Sequence, residues 1–375
     1  MTEQTQEQKA SLATATREGA KVAVLFTNPQ TVVPDIGRAM RLADYSDHLS
    51  KDAPTALKIN ISWQRYYPAC STTPWQLDGV IRALQEDGFG ELIPAQNATV
   101  VVDSHDGEVK NKHKAVLDRY GLQSVHLNDK GAPWVRYQPK GKMLVLDDIF
   151  PEGIHLPETL IGKNIIHLPT LKTHVFTTMT GAMKNAFGGL LHFRRHWTHS
   201  VIHETLVDLL TIQKEIHPGV FAVMDGTLAG EGPGPRAMRV RPANLILASA
   251  DQVAIDAVAA KIMGFDPLSI RFIRLAHEMG LGCGDPEQIE VVGADISGVN
   301  FGLSAGEETF ASRGQKLVYW GPLKPLEKLV LRSVLAPVSY LASRAYYDYY
   351  WYNLFGRSRV KQALAGEWGK LFLSY

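Results

Sequence analysis

A chain of 375 residues exceeds what a single small module needs, so one large body or two lobes with an appendage is expected. Its 45% hydrophobic and 21% charged residues are those of a globular protein, and a formal net charge of +1 gives no global reason to expect nucleic acid as a partner. Cys70 and Cys283 stand far apart, which excludes a disulfide framework, a zinc knuckle and the ligands of an iron–sulfur cluster, and makes a reducing cytoplasm the default.

Residues 1–20 are polar and lack the apolar run of a secretory signal, so a mobile tail is expected there. Lys21 to Thr27 (KVAVLFT) has the β-branched character of a buried strand, and Pro34 to Leu42 reads as a crossover helix. Thr55 to Trp63 reads as a second strand, with Lys58 and Asn60 on one face. Trp75 to Asp87 is an amphipathic helix, and Ala98 to Asp103 (ATVVVD) a third strand ending in the polar cluster Asp103 to Gly107. His113 to Tyr120 is a short helix stopped by Gly121, and Leu144 to Asp148 is strand-like. Further on, Glu204 to Ile216 has helical spacing, Val220 to Met224 is a strand ending in Asp225-Gly226, and Thr227 to Pro235 is a glycine- and proline-rich loop carrying Glu231. Asn244 to Ser249 is a strand, Asp251 to Met263 a helix with Gly264 as its stop, and Ile289 to Val292 a last strand. This alternation predicts an α/β fold with a mostly parallel sheet and helices on both faces. No window is apolar enough to span a membrane.

The densest chemistry lies between Asn164 and His203. An apolar strand, Asn164 to Leu168, is broken by Pro169, and Lys172-Thr173-His174 puts a base and a cation at its exit, where open α/β sheets carry function. A turn at Gly181 then starts a helix bearing Lys184 and Asn185, with His199 following. Neutral imidazoles bind transition metals or carry protons near neutral pH, and a cation in a helix's first turn opposes the macrodipole, so Lys184 is expected to face an anionic ligand. His192, His196, His203 and His217 carry no such signal. Among the acids, Asp251 is expected only to cap its helix, whereas Asp225, Glu231 and Asp256 are candidate metal ligands beside His174 and His199.

These residues carry a resemblance. Lys172-Thr173-His174, Thr180 to Asn185 with Gly188, His199, Asp225-Gly226, Glu231-Gly232-x-Gly234-Pro235, the run from Ala248 to Asp256, and Gly280-Leu281-Gly282 resemble the "domain of unknown function 362" family over roughly Leu57 to Gly293. Lys58-Ile59-Asn60 is similar to that family's Lys-Pro-Asn strand end. Many members carry ferredoxin-type cysteine runs, which this chain lacks. A more distant motif likeness is to the nickel-pincer lactate racemase family, matched by His174, Gly181 and Lys184, with His199 as the later histidine. That likeness implies a lysine that carries the pincer nucleotide and histidines that bind nickel or move protons.

The resulting expectation is an enzyme, oxidoreductase- or isomerase-like, acting on a small anionic organic molecule by metal-assisted redox or proton-transfer chemistry. His174, Lys184, His199 and Lys172 are the catalytic candidates, and Lys58, Asn60, Thr173, Asn185 and Gly181 the substrate-binding ones. His174, His199, Asp225, Glu231 and Asp256 would hold a transition metal. The rival reading is a metal or cofactor carrier that docks through its C-terminal helices. Residues 21–315 are expected to form the α/β domain and 316–375 a basic, aromatic-rich helical extension. In that extension Val330, Val334, Leu341, Ala345 and Tyr349 make a stripe beyond which seven large aromatics crowd a short helix. With Lys324, Lys328, Arg332, Arg344, Arg357 and Arg359, residues 323–355 are a candidate homodimer or peripheral membrane contact, alongside simple packing on their own domain.

Overall fold

The computed structural model describes residues 20–99, 101–332 and 336–375. The expected tail before Ala20, Val100 and Val334 lie outside the described residues, as do the side chains of Val330 and Pro337. The strands are β1 (Lys21–Phe26), β2 (Thr55–Ile59), β3 (Leu92–Gln96), β4 (Val125–His126), β5 (Trp134–Tyr137) and β6 (Ile154–Pro157). They continue with β7 (Asn164–Leu168), β8 (Thr170–His174), β9 (Thr178–Met179), β10 (Val220–Glu231), β11 (Arg239–Ser249) and β12 (Glu290–Gly293). Ten of the described strands join one sheet, whose main path runs β12-β1-β11-β10-β7-β2-β3-β4; β8 pairs with β10 and β9, and β5 and β6 form a separate ribbon. The path is parallel except where β11 runs antiparallel to β1 and to β10.

Period-two alternation explains the two-sided core. Along β1, Val22 and Val24 join one apolar cluster and Ala23 and Leu25 the other. The second cluster packs under helices α1 (Val32–Leu42) and α2 (Pro74–Glu86). The first packs under α3 (Gly181–Leu190), α4 (Ile202–Ile216), α5 (Gln252–Met263) and α6 (Arg271–Glu278). The mostly parallel α/β architecture with helices on both faces is therefore present, built on one continuous sheet.

Three expectations are corrected. Leu144 to Asp148 is not a strand, because the Asp208 carboxylate accepts the N–H groups of Leu144, Val145 and Leu146 at 2.6, 2.9 and 3.0 Å and starts a short helix at Leu146. The strand assigned to 98–103 falls earlier, at Leu92–Gln96, since the Ala98 carbonyl is taken by Arg195 and Asn128 rather than by a ladder partner. Asp103 then caps the helix Ser104–Lys110 instead of closing a strand. Finally, β10 does not stop at Met224; it continues against β11 through a register shift between Gly226 and Leu228 and includes Glu231.

The C-terminal extension is integral to the body. Asp348 accepts from Trp63 Nε1 at 2.5 Å and from Gln64 Nε2 at 2.8 Å. Trp351 lies 5.7 Å from the Tyr67 ring, Trp368 5.3 Å from Trp75, and Phe372 stacks on Tyr66 at 3.7 Å. Trp351, Trp368 and Phe372 are buried members of the second cluster; within residues 323–355, Trp351 packs on its own domain. Tyr349, Tyr350, Leu354 and Phe355 stay exposed. Helix α7 (Phe310–Tyr319) crosses the 315/316 boundary read from the sequence. No helix among the described residues is long and apolar enough to cross a membrane.

A chain ended at Gly321 should therefore be destabilised and prone to associate, because it uncovers Trp63, Trp75 and Tyr66. Trp368→Ala alone should cost about 3–5 kcal/mol in chemical denaturation. A truncated chain that is monodisperse and melts with the parent would contradict this packing.

Candidate functional site

The site is assembled where β7 gives way to β8. Pro169 separates β7 from β8 while its carbonyl still accepts from Asp225 N at 3.0 Å, and β8 then shifts register along β10 between Thr170, opposite Asp225, and Lys172, opposite Gly230. Beyond β8 the chain turns back through β9 into α3, whose start at Gly181 has φ +79, a conformation that favours glycine. Thr180 offers no side-chain cap. The cap comes instead from Asp256 on α5, whose carboxylate accepts from Ala182 N at 2.5 Å and Met183 N at 3.0 Å. A Cβ on Gly181 would run into that same carboxylate.

In front of α3 lies a cavity of about 620 Å³. Its walls include Lys58 and Asn60 from the exit of β2, His174 at the end of β8, Lys184, Asn185 and Gly188 from α3, and Arg195, His196 and His199 from the 3-10 segment that follows. Among the described residues no aspartate or glutamate lines it. Lys58 reaches it because Gly189 leaves room for the lysine stem; a Cβ there would meet Lys58 Cε at 2.7 Å. The Lys58 ammonium donates to the Ile59 carbonyl at 2.5 Å, and Asn185 Nδ2 donates to the Lys58 carbonyl at 2.9 Å. Lys184 Nζ sits 5.7 Å over the Phe187 ring. Arg195 donates to the carbonyls of Leu191 and Ala98 at 3.2 and 2.8 Å. Among the described residues neither Lys58 nor Lys184 has an ion-pair partner.

Burial, with the charge of Arg195 added, pulls Lys58 down to about 7. Burial together with Lys172 and Arg195 pulls Lys184 to about 7 as well, and burial takes Arg195 to about 10. Burial holds His174 well below its ordinary value, reinforced by Lys184 and His199, and His199 at about 3. Both imidazoles are therefore neutral at pH 7, and their hydrogen bonds assign opposite tautomers. His199 Nδ1 lies 3.0 Å from the His196 carbonyl, which only accepts, so Nδ1 carries the proton and Nε2 the lone pair. His174 Nδ1 accepts the Phe176 N–H at 3.2 Å, leaving the proton on Nε2.

The structure thus brings together Lys58, Asn60, His174, Lys184, Asn185 and His199, and it places the other candidates elsewhere. Lys172 is buried behind the wall, donating to the Cys70 carbonyl at 2.8 Å and Thr170 Oγ1 at 2.6 Å, and acts on Lys184 through its charge. Thr173 donates to the Gly232 carbonyl at 2.8 Å and holds the glycine–proline loop, while Gly181 supplies the turn. The expected metal set is not assembled. Asp225 accepts from Trp75 Nε1 at 2.8 Å, from Thr227 N at 2.6 Å and from Thr73. Glu231 pairs with Arg239 at 3.1 Å, and Asp256 caps α3. All three carboxylates are committed to structure, which leaves two imidazoles beside the cations Lys58, Lys184 and Arg195, a poor environment for a divalent ion.

Among the described residues the ligand atoms of His105, His126 and Asp129 do lie within 4.8 Å of one another. Their two rings, however, stack at 3.6 Å and 9°, and both His126 nitrogens are already engaged, by Ser104 Oγ and by Glu108, at 2.8 Å each. Sequence reasoning missed Arg195, His196, Asn97 and the whole wall contributed from Phe310 onwards. The paired Arg194-Arg195 after a Gly-Gly helix was a signal for the first; nothing local marked the others.

The pattern of the family described as "Domain of unknown function (DUF362)" matches residues 55–261, more than half of the chain and the part that carries Lys58, His174, Lys184 and His199. The chain belongs to the DUF362 family. This DUF362 protein is also 34% identical over 131 residues to a thylakoid-associated protein of Synechocystis sp., across 33% of this chain and 40% of that one, so it spans less than half the length of that relative. A crystal structure of a protein from Thermotoga maritima is similar over 72% of this chain and 61% of the other, at 13% identity and a TM-score of 0.36.

Lys58 and Lys184 have folded-state values lowered from 10.5 to about 7, so the unfolded chain binds more protons between those limits and stability should rise with pH from 7 to about 10. Lys184→Met removes that penalty. It should raise the denaturation midpoint at pH 6, by on the order of 1 kcal/mol or more, and by much less at pH 9.5. A Met variant less stable than the parent at both pH values would show that the ammonium is already compensated.

Proposed function

We propose that this DUF362 protein binds a small organic anion in the cavity and transfers a proton to or from it. The observation that carries the reading is the cluster of buried Lys58 and Arg195 with half-buried Lys184 in a cavity with no lining carboxylate among the described residues. Such charges are disfavoured when alone and favoured when an anion completes them. In this reading Lys58, Lys184 and Arg195 hold the anionic group. His199 Nε2 takes a proton, and His174 Nε2–H donates a hydrogen bond to the negative charge that develops. The rival role of a carrier that works at a membrane surface draws support from the exposed Trp320, Leu323, Leu326 and Leu329 and from the name of the thylakoid-associated relative.

An anion raises the proton affinity of the lysines it meets, so binding above pH 7 should take up protons and weaken as pH rises. Calorimetry with a small carboxylate and with inorganic phosphate at pH 8, in two buffers of different ionisation enthalpy, reads this directly. Affinity unchanged from pH 6 to 9 and proton-neutral would remove the lysines from the site. For proton transfer, a panel of hydroxy, keto and phospho acids incubated in deuterium oxide should show exchange at a carbon that His199→Gln abolishes. Absence of exchange across the panel would leave an anion-binding role only.

A further inference from the structure

The cavity has two unlike sides. The cations and imidazoles come from β2, β8, α3 and the segment after it. The facing wall comes from the C-terminal region: Phe310, Gly314 and Val318 along one stripe of α7, and Ala342, Tyr346 and Tyr347 from the segment packed beside it. None of these six carries a charge. Arg236, the other cation on this side, lies over the Tyr347 ring at 5.2 Å and donates to the Ser62 carbonyl at 3.1 Å. At about 620 Å³ the space is of the size that takes a drug-sized molecule, far more than a carboxylate or phosphate group fills. At its rim Phe310 is 83% exposed, and Leu317, Trp320, Leu323, Leu326 and Leu329 follow, all exposed.

We infer that the ligand is an anionic amphiphile, its acidic headgroup at Lys58, Lys184 and Arg195 and its apolar chain along the wall of Phe310, Gly314, Val318, Ala342 and Tyr346. The inference rests on the anion-binding reading and adds the chemical class of the rest of the molecule. It accounts for a feature that a small polar anion leaves idle: an aromatic, uncharged wall opposite the charges.

The test compares inorganic phosphate with dodecyl phosphate, kept below its micelle concentration, on full-length protein by calorimetry. Each buried methylene is worth roughly fourfold in affinity, so three seated in the cavity make dodecyl phosphate tighter by at least roughly 60-fold. Gly314 is open for a reporter substitution, since a Cβ there meets nothing within 4 Å. Gly314→Phe, or Ala342→Phe from the facing segment should the first fail to fold, should fill the apolar side and erase most of that preference while phosphate still binds. Lys184→Met should weaken both ligands by at least about tenfold. Equal affinity of wild type for the two phosphates would overturn the amphiphile and leave the anion reading standing. Failure of both to bind would remove the anion reading itself. A chain preference that survives both phenylalanine variants would place the chain outside the cavity and overturn the assignment.

Discussion

The Asp256 carboxylate on the first amide groups of α3 is the constraint on which the site depends. An α-helix begins with N–H groups that have no partner within it, and in a buried setting these must be satisfied. Thr180 does not do so, and a side chain on Gly181 would block the group that does. Asp256 reaches across from α5, with burial pushing its carboxyl up to about 8 against the pull of the two amides. Asp251 caps α5 itself and also accepts the Cys283 N–H at 2.8 Å. The position of α3, and with it Lys184, Asn185 and Phe187, is thus set by a carboxylate on α5, itself capped by Asp251.

Charge is sorted in a consistent way around this point. The motif acids Asp225, Asp251 and Asp256 face backbone and side-chain donors inside the scaffold, while the cations Lys58, Lys184 and Arg195 face open volume. An ammonium drawn out of water without a counter-ion tends to shed its proton, so Lys58 and Lys184 are partly neutral near pH 7. Lys172 contributes from behind the wall, its charge lowering Lys184 without touching the cavity. The imidazoles, neutral and of opposite tautomer, add a donor and an acceptor that the cations lack.

The C-terminal region completes the enclosure. Its indole and phenyl groups at Trp351, Trp368 and Phe372 seal the core around Trp63, Trp75 and Tyr66, and α7 with the residues near Tyr346 then stands over the cavity. Tyr319 stacks on His199 at 5.7 Å, and Tyr347 shares a hydrogen bond with Thr309 at 3.1 Å. Anchoring and lining are therefore done by different faces of one segment. This explains why so many aromatics can be packed on one body and still leave Tyr349, Tyr350 and Phe355 outside.

Periodicity and turn chemistry alone determined the α/β class, most of the strands, the capping role of Asp251, and the concentration of chemistry between Lys172 and His199, because those signals are local. The likeness to the DUF362 motifs marked Asp225, Glu231 and Asp256 as important, yet a motif records that a carboxylate is needed and not which way it points. Only the tertiary structure decided that these acids hold backbone and arginine while Lys58, His174, Lys184 and His199 converge. That choice follows from register: β10 runs on past Met224, and its pairing with β8 shifts between Asp225 and Gly230. The apolar wall from Phe310 to Tyr347 was beyond reach for the same reason. It lies more than a hundred residues from the lysines it faces, and only packing of the C-terminal aromatics against the opposite side of the body brings the two together.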